Sequence, residues 1–474
     1  MSRTGEFRLD RPLELGEVRP GGTVRCHLTA EDAFAAAEDL VLSARREVWA
    51  SFRDFDPFTR LRSVRGRQLG EDWFDLLVHV LRRGVALRIV LADDDCVCRP
   101  EGHRRAWRTR RALASAAEAA GPAADLKVIV AMHPTRAGPL WKLLFLPQSR
   151  HNVRRTVRRL SDLAVPQRLA TMRDMPGLAA LVGGTGGHLR PRGGLLPFGF
   201  ARHRQRLIVA DRNRLFLGCP GFVPDDGRES AWEALQLTVS GSVVAEAQRH
   251  LETFLAGSAE GGVQPGRTLL RTLSSRGRRR RFLPLPTEVA AEIAAAHEMM
   301  ALRVRRLIYL ETAGFSDLRL AGTLARAGLQ APGLSLILLL PQRDGPRRPL
   351  IERHAIGELR RGFGERMFVG LGDDRPRDGE EKRLHAAVSI FDDEMAIVSS
   401  AALTPRDLRW DTGAGLQLRD HRLVRSLRAK LMRAWLGPAA RTEHFEPETA
   451  VASWTALAAD AASGVPIRPY PVRS

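Results

Sequence analysis

The chain has 474 residues, 44% of them hydrophobic, and a formal net charge of +20. It is too long for one ordinary domain and apolar enough to build a full core, so two or three domains, or two fused halves, are expected. The charge points to acidic partners, namely phosphate, anionic lipid or nucleic acid.

Nearly all of that charge is arginine, since lysine occurs only at Lys127, Lys142, Lys382 and Lys430. A habit spread along the whole chain weakens the case for a dedicated nucleic-acid surface. Cys26, Cys96, Cys98 and Cys219 form neither a disulfide scaffold nor a zinc spacing. No run reaches the roughly 18 apolar residues of a membrane span. The opening "MSRTGEFRLDRPLELGEV" lacks the apolar core of a secretory signal. A cytoplasmic protein, or one peripheral to a membrane, is expected.

In chain order, Glu31 to Glu47 has helical periodicity, and "VWASFRDF" follows as strand and loop. "EDWFDLLVHVLRRG" predicts an amphipathic helix with a glycine stop, and "VALRIVLA" a buried strand. "DDDCVCRPEGH", Asp93 to His103, reads as a loop; a basic helix from Arg104 to Ala119 and the strand "LKVIVAM" come next. The second half restarts the order. Glu288 to Arg306 reads as helix, "LIYLETAGF" as strand and loop, "LSLILLLP" as buried strand, Ile351 to Gly362 as helix and "RMFVGLG" as strand. Helix and strand alternate twice, which predicts an α/β fold of two similar halves. Each half is expected to be a mostly parallel sheet flanked by helices, the two related by a pseudo-two-fold axis. The expected divisions are an N-terminal extension over 1–25, a first half over 26–265 with an insertion at 133–199, a basic linker over 266–287, a second half over 288–440 and a C-terminal tail over 441–474.

Two segments carry the chemistry: "FARHRQRLIVADRNRLFLGC", Phe200 to Cys219, and "KRLHAAVSIFDDEMAIVSSA", Lys382 to Ala401. Asp211 and Asp392, Gly218 and Ser399, and Cys219 and Ser400 are each separated by 181 positions (392 − 211, 399 − 218, 400 − 219). A constant offset inside two α/β halves indicates a duplicated unit.

These segments resemble the duplicated motif of the phospholipase D superfamily, cardiolipin synthase-like members included. There, His-x-Lys-x4-Asp is followed six residues later by Gly/Ser-Ser-x-Asn. The resemblance covers roughly residues 30–440. "LIYLETAGF" is similar to that family's "IYIENQYF", with Glu311 at its glutamate. The resemblance implies a metal- and cofactor-free reaction at a phosphodiester. One histidine attacks phosphorus and forms a phosphohistidine; the other protonates the leaving alcohol and then activates water. Cationic and hydroxyl side chains stabilise the charged oxygens, and a carboxylate orients each imidazole.

This chain departs from the pattern. In the second copy His385 is in frame with Asp392, but Ala387 stands for the lysine and Ala402 for the asparagine. In the first copy Arg204 stands for the histidine, Arg206 for the lysine, Cys219 for the serine and Gly221 for the asparagine. His203 is one residue early, and adjacent strand residues face opposite ways, so only a bulge would turn it inward. The expected catalytic residues are His385, Asp392, His203 and Asp211. The expected substrate-binding residues are Arg204, Arg206, Ser399, Ser400 and Glu311, and no metal ligand is expected. The leading expectation is a phosphodiesterase or phosphatidyltransferase acting on phospholipid, impaired by these changes. The alternatives are a catalytically inactive phosphate- or lipid-binding protein, and a nuclease. In the insertion, "GPLWKLLFLP" precedes a helix with Val153, Val157 and Leu160 on one face and Arg154, Arg155, Arg158 and Arg159 on the others. That pattern suits either an anionic membrane surface or packing on the parent domain.

Overall fold

The strands of the first half run in chain order as β1 (Leu13–Glu17), β2 (Thr23–His27), β3 (Glu47–Phe52), β4 (Ala86–Asp93) and β5 (Leu126–Met132). A short ribbon follows, β6 (Val182–Gly183) with β7 (Arg190–Pro191), then β8 (Leu207–Ala210), β9 (Arg214–Leu217) and β10 (Gln236–Ser240). The second half contributes β11 (Leu269–Ser275), β12 (Thr287–Ala291), β13 (Leu307–Glu311), β14 (Ser335–Pro341), β15 (Met367–Gly372), β16 (Val388–Phe391), β17 (Met395–Ser399), β18 (Gly413–Leu418) and β19 (Ile467–Pro469). The computed structural model describes residues 13–17, 22–184, 189–218, 235–255, 268–275, 285–342, 348–372 and 387–471.

The first sheet has the order β1-β2-β10-β9-β8-β3-β4-β5, and the second β12-β11-β18-β17-β16-β13-β14-β15-β19. From β2 to β5 and from β11 to β15 the two orders correspond strand for strand. Both sheets are mixed. Parallel pairing is confined to β3-β4-β5 and β13-β14-β15, the strands joined by helical crossovers. The expectation of mostly parallel sheets therefore holds only for those strands. The motif strands are joined by three-residue hairpin loops, 211–213 and 392–394, which impose antiparallel pairing.

The 181-residue offset preserves the face each side chain occupies. Leu207, Val209, Leu215 and Leu217 enter the same core cluster as Val388, Ile390, Ala396 and Val398. Ile208, Ala210 and Phe216 point to the outer core of the first half, and Phe391 and Ile397 to that of the second. A one-residue slip in either strand would invert every one of these positions. The shared inner cluster also takes in helix Ser242–Leu255 and helix His421–Leu436. The first of these touches β11 of the other half, and the second touches β1.

Three expected boundaries shift. Residues 13–17 of the expected extension form β1 and cover the edge of β2. Residues 269–275, expected as linker, form β11 beside β18, with Arg271 neutralised by Glu292 at 2.7 Å. The rest of the basic run, 276–284, lies outside the described residues. The expected tail is built in as well, because β19 pairs with β15 and Trp454 packs on Phe368 and Tyr309. The insertion carries a small core of its own, including Val153, Val157, Leu160, Leu178 and Leu181.

The two motif aspartates occupy matching turns. Asp211, Arg212, Asp392 and Asp393 are the non-glycine residues with positive φ among the described residues, at 48°, 58°, 51° and 59°. Two consecutive positive φ values give the hairpin turn whose twist suits its strands, and aspartate tolerates that region. The Asp211 carboxylate accepts the backbone N–H groups of Arg45, Arg46 and Glu47 at 2.8, 2.8 and 3.0 Å. The Asp392 carboxylate accepts those of Arg305, Arg306 and Leu307 at 2.5, 2.8 and 2.8 Å. Each aspartate thus pins its hairpin to the start of the first parallel strand.

Burial alone would raise the Asp211 pKa, but the Glu47, Arg45 and Arg46 N–H groups outweigh it and hold the carboxyl below its ordinary value. Its contribution to stability is present above the unfolded carboxyl pKa near 4 and is lost as pH falls through the lower folded value. Asp211→Ala and Asp392→Ala should each cost about 1–3 kcal/mol at neutral pH. For Asp211→Ala that cost should shrink towards pH 3. Urea unfolding at both pH values measures this; an unchanged midpoint at pH 7 would remove the pinning role.

Candidate anion-binding site

β3 and β4 are adjacent parallel strands, and their C-terminal ends deliver Arg53, Asp54 and Asp94 to one edge of the sheet. Such ends are where open α/β sheets form crevices. Onto this edge folds the segment Phe200 to Arg206 that leads into β8. From the other half comes the segment Thr404 to Thr412, which contains the short helix Pro405–Arg409. His203 and Thr412 form a parallel bridge, closed by Arg204 N–H to the Thr412 carbonyl and Thr412 N–H to the Arg202 carbonyl, each 2.8 Å.

Side chains then alternate. Arg204 donates to Asp407 and lies 3.7 Å from Asp411. Arg206 lies 3.5 Å from Asp54, which Arg105 also reaches at 2.9 Å and Arg53 at 3.2 Å. Arg202 sits 3.6 Å from Asp94, and Arg406 donates to Asp411 at 2.9 Å. The odd-numbered residues turn the other way. Gln205 bridges Ser51 at 3.1 Å and His250 at 2.6 Å. His203 is buried, its Nδ1 2.9 Å from the Thr412 hydroxyl and its ring against His133 and Phe254, with centroids 5.0 and 4.6 Å apart. His203 therefore does not occupy the face of Arg204 and Arg206, and no bulge brings it there.

The arginine cluster is electrostatically crowded. Burial, aided by Arg204, Arg206 and Arg202 against Asp54, lowers Arg53 to about 10. Burial together with Arg406 and Arg99 lowers Arg202 to about 10. Burial, with Asp407 adding to it, raises the Asp411 carboxyl despite Arg406 and Arg204. Beside the cluster opens a cleft of about 410 Å³ lined by Arg53, Arg99, Arg105, Arg155 and Arg159, against Asp54, Asp94 and Glu101. Five guanidinium groups facing three carboxylates suit a small polyanion, because the planar arginine fork binds phosphate oxygens in pairs.

The second motif follows the same ladder. Ser399 N–H donates to the Ala387 carbonyl at 3.0 Å, as Gly218 N–H does to Arg206 at 3.4 Å. Ala387 thus holds the backbone place of Arg206. His385 lies outside the described residues, as do Cys219 and Gly221. Ser399 exchanges hydrogen bonds with the backbone of Ala401, and Ser400 accepts the Ala414 N–H at 3.1 Å. Glu311 is buried and accepts the Tyr309 hydroxyl, whose phenol is pushed well up by burial and by that carboxylate. Val388, its partner across the sheet, belongs to the inner core.

Of the expected site residues, Arg204 and Arg206 lie beside the cleft without lining it, paired with Asp407 and with Asp54 of its wall. Asp211 and Asp392 sit at the far ends of β8 and β16, and each gives its carboxylate to three backbone amides. For Asp211 that is roughly 16 Å from Arg206 at the rise of a strand. Sequence reasoning missed Arg53, Asp54, Asp407, Asp411 and His133. The usable signal was charge at strand ends in "FRDF" and "LADDD"; "RDLRWD" lies in and just after the short helix Pro405–Arg409 and gives none.

No known protein family matches the chain, and no curated protein is significantly similar to it in sequence. Solved structures with a similar arrangement include polyphosphate kinase from Porphyromonas gingivalis, 12% identical over 86% of this chain and 46% of that one, TM-score 0.43. The chain thus spans about half the length of that protein. Phosphatidylserine synthase of Haemophilus influenzae Rd KW20 is 11% identical over 95% of both chains, TM-score 0.47. NucT from Helicobacter pylori is 15% identical over 30% of this chain and 85% of that one, TM-score 0.25.

His203 and His133 are both held neutral. Burial lowers His203 well below its ordinary value, with His133 adding to the effect, and burial with Arg136 and Arg406 lowers His133 to about 4. Burial likewise lowers His297 to about 4, its Nδ1 donating to the Ile293 carbonyl and its Nε2 accepting from Ser389. The unfolded chain takes up these protons near pH 6.5, before the fold does, so stability falls as pH drops from about 6.5 towards 4. Urea midpoints across that window should decline. His133→Asn and His297→Asn should each flatten the decline, and a midpoint independent of pH there would contradict the neutral assignment.

Proposed function

We propose that this chain binds a phosphate-bearing anion in the arginine cleft, and that its first motif has exchanged catalysis for joining the two halves. It would then be a catalytically weak or inactive relation of the phosphodiester enzymes that its sequence resembles. The observation that carries this reading is the ion pairing of Arg204, at the position of the motif histidine, with Asp407 and Asp411. A side chain held by two carboxylates of the other half is not available to attack phosphorus. Its neighbour His203 is neutral but faces Phe254 and Thr412 in the interior.

The crowded guanidinium groups are the other support. A phosphate entering the cleft would relieve repulsion among Arg53, Arg202 and Arg206, which raises affinity without any new shape complementarity. The enzyme reading keeps one favourable observation. The second motif strand retains its ladder from Ala387 to Ser399, two residues downstream of His385. Hydrolysis or phosphatidyl transfer would then run through a single motif histidine.

Two measurements separate the readings. Titration calorimetry with inorganic phosphate should show binding that Arg53→Gln and Arg105→Gln each weaken by about tenfold or more, the worth of one charge-assisted bond. A chromogenic phosphodiester, a lipid phosphodiester and single-stranded DNA should release no product above background. Turnover on any of them that His385→Ala abolishes would restore the enzyme reading and name its substrate class. The joining role has its own test. Arg204→Met should cost about 3 kcal/mol by stranding Asp407, and Arg204→Met with Asp407→Leu should cost less than the single change.

A further inference from the structure

The insertion builds a surface that the core of the fold does not use. In helix Leu146–Ser161 the residues Ser149, Val153, Thr156, Val157 and Leu160 are buried, and the first turn follows directly on helix Pro139–Leu144. Arg150, Arg154 and Arg158 form an exposed stripe at i, i+4, i+8. Arg155 and Arg159 lie on the adjoining side and line the arginine cleft. One helix therefore presents one basic row to solvent and another to the candidate site.

Just before this helix, Leu143 and Leu144 are 58% and 65% exposed, and Leu140 and Phe145 are 43% and 40% exposed. These residues are held on a firm base. Trp141 stacks on Phe145 at 5.9 Å and meets Phe200 edge-on at 5.3 Å, while Phe145 meets Phe198 at 5.6 Å. Phe200 opens the segment that carries Arg202 to Arg206. Single exposed leucines need no explanation, but four apolar residues within six positions, beside a row of arginines, do.

We propose that residues 139–158 dock on an anionic lipid bilayer, with Leu143, Leu144 and Phe145 entering the headgroup layer and Arg150, Arg154 and Arg158 lying on its phosphates. The match is one of chemistry. Apolar side chains at one end of a helix and guanidinium groups along its exposed flank are what an interface of acyl chain and anionic headgroup can satisfy together. Docked in this way, the helix brings its second row, Arg155 and Arg159, and hence the cleft, to the level of the headgroups. That the anion in the cleft is a lipid headgroup rests on the phosphate reading above; the docking itself does not.

The test uses the full chain and co-sedimentation with phosphatidylcholine vesicles, with and without phosphatidylglycerol, at low and raised salt. Wild type should sediment with phosphatidylglycerol vesicles at low salt and not with phosphatidylcholine alone. Leu143→Ser with Leu144→Ser should lower partitioning by about tenfold or more, since both side chains would leave the bilayer. Arg150→Gln, Arg154→Gln and Arg158→Gln together should lower it comparably and flatten its dependence on salt. Thermal midpoint and inorganic phosphate binding should be unchanged in both variants, which separates failure of docking from failure of the cleft. No sedimentation of wild type at low salt would overturn the proposal. So would partitioning indifferent to Leu143 and Leu144, because simple charge adsorption needs only the arginines. A duplex oligonucleotide that binds through Arg150, Arg154 and Arg158 while vesicles do not would make this a nucleic-acid face.

Discussion

Each half of this protein hangs on a carboxylate that serves three backbone N–H groups at once. Asp211 and Asp392 sit in left-handed backbone at the tip of a hairpin and take the first amides of the neighbouring parallel strand. Those amides begin β3 and β13, where the chain arrives from a helix and has no ladder partner yet. By filling them, the aspartate sets the register of the hairpin against the parallel strands. The register then decides which side chains face the shared core and which face outward. The ion-paired cluster beside the cleft follows from that choice, because Arg204 and Arg206 point away from the inner layer only while Leu207 and Val209 point into it.

The same geometry separates the structural and chemical halves of the motif. A motif aspartate kept with its turn says that the strand pair is built as expected. It says nothing about whether the other end of that strand still holds a nucleophile. Here the far end of β8 holds arginine, and that arginine is spent on the carboxylates of the opposite half. The charge of Arg204 is thus engaged in holding the halves together. What remains unbalanced is the guanidinium excess around Arg53, Arg99, Arg105, Arg155 and Arg159.

Much of the fold was legible in the residues. The 181-residue offset located both hairpins, because a three-residue loop and alternating burial leave a fixed spacing. The helix–strand order located β3 to β5 and β13 to β15. What was not legible depends on pairing across long separations. β11 looked like linker because "RTLSSRGRRRR" is polar and basic, and only its place beside β18 makes "LLRTLSS" a strand. The role of Asp407 and Asp411 was hidden for the same reason, since they meet Arg204 across about two hundred positions. The two aspartates were expected to orient imidazoles; they lie a strand's length from Arg206 and Ala387, where each accepts three backbone N–H groups.

The edge of the first sheet has a consequence for how the chain is made. β2 pairs with β10, so His27 waits for Gln236, 209 residues later (236 − 27). At the pace of translation, about 5–20 residues per second, that is roughly 10–40 seconds. During that time β2 has one long edge without its partner, while β3, β4 and β5 and their helices are already available to collapse. An unpaired strand edge on a nascent chain invites intermolecular pairing. Production of this protein should therefore be limited less by the stability of the finished fold than by chaperone capacity while the first half is still open. Slower initiation, which spaces nascent chains apart, should raise soluble yield more than lower temperature after synthesis.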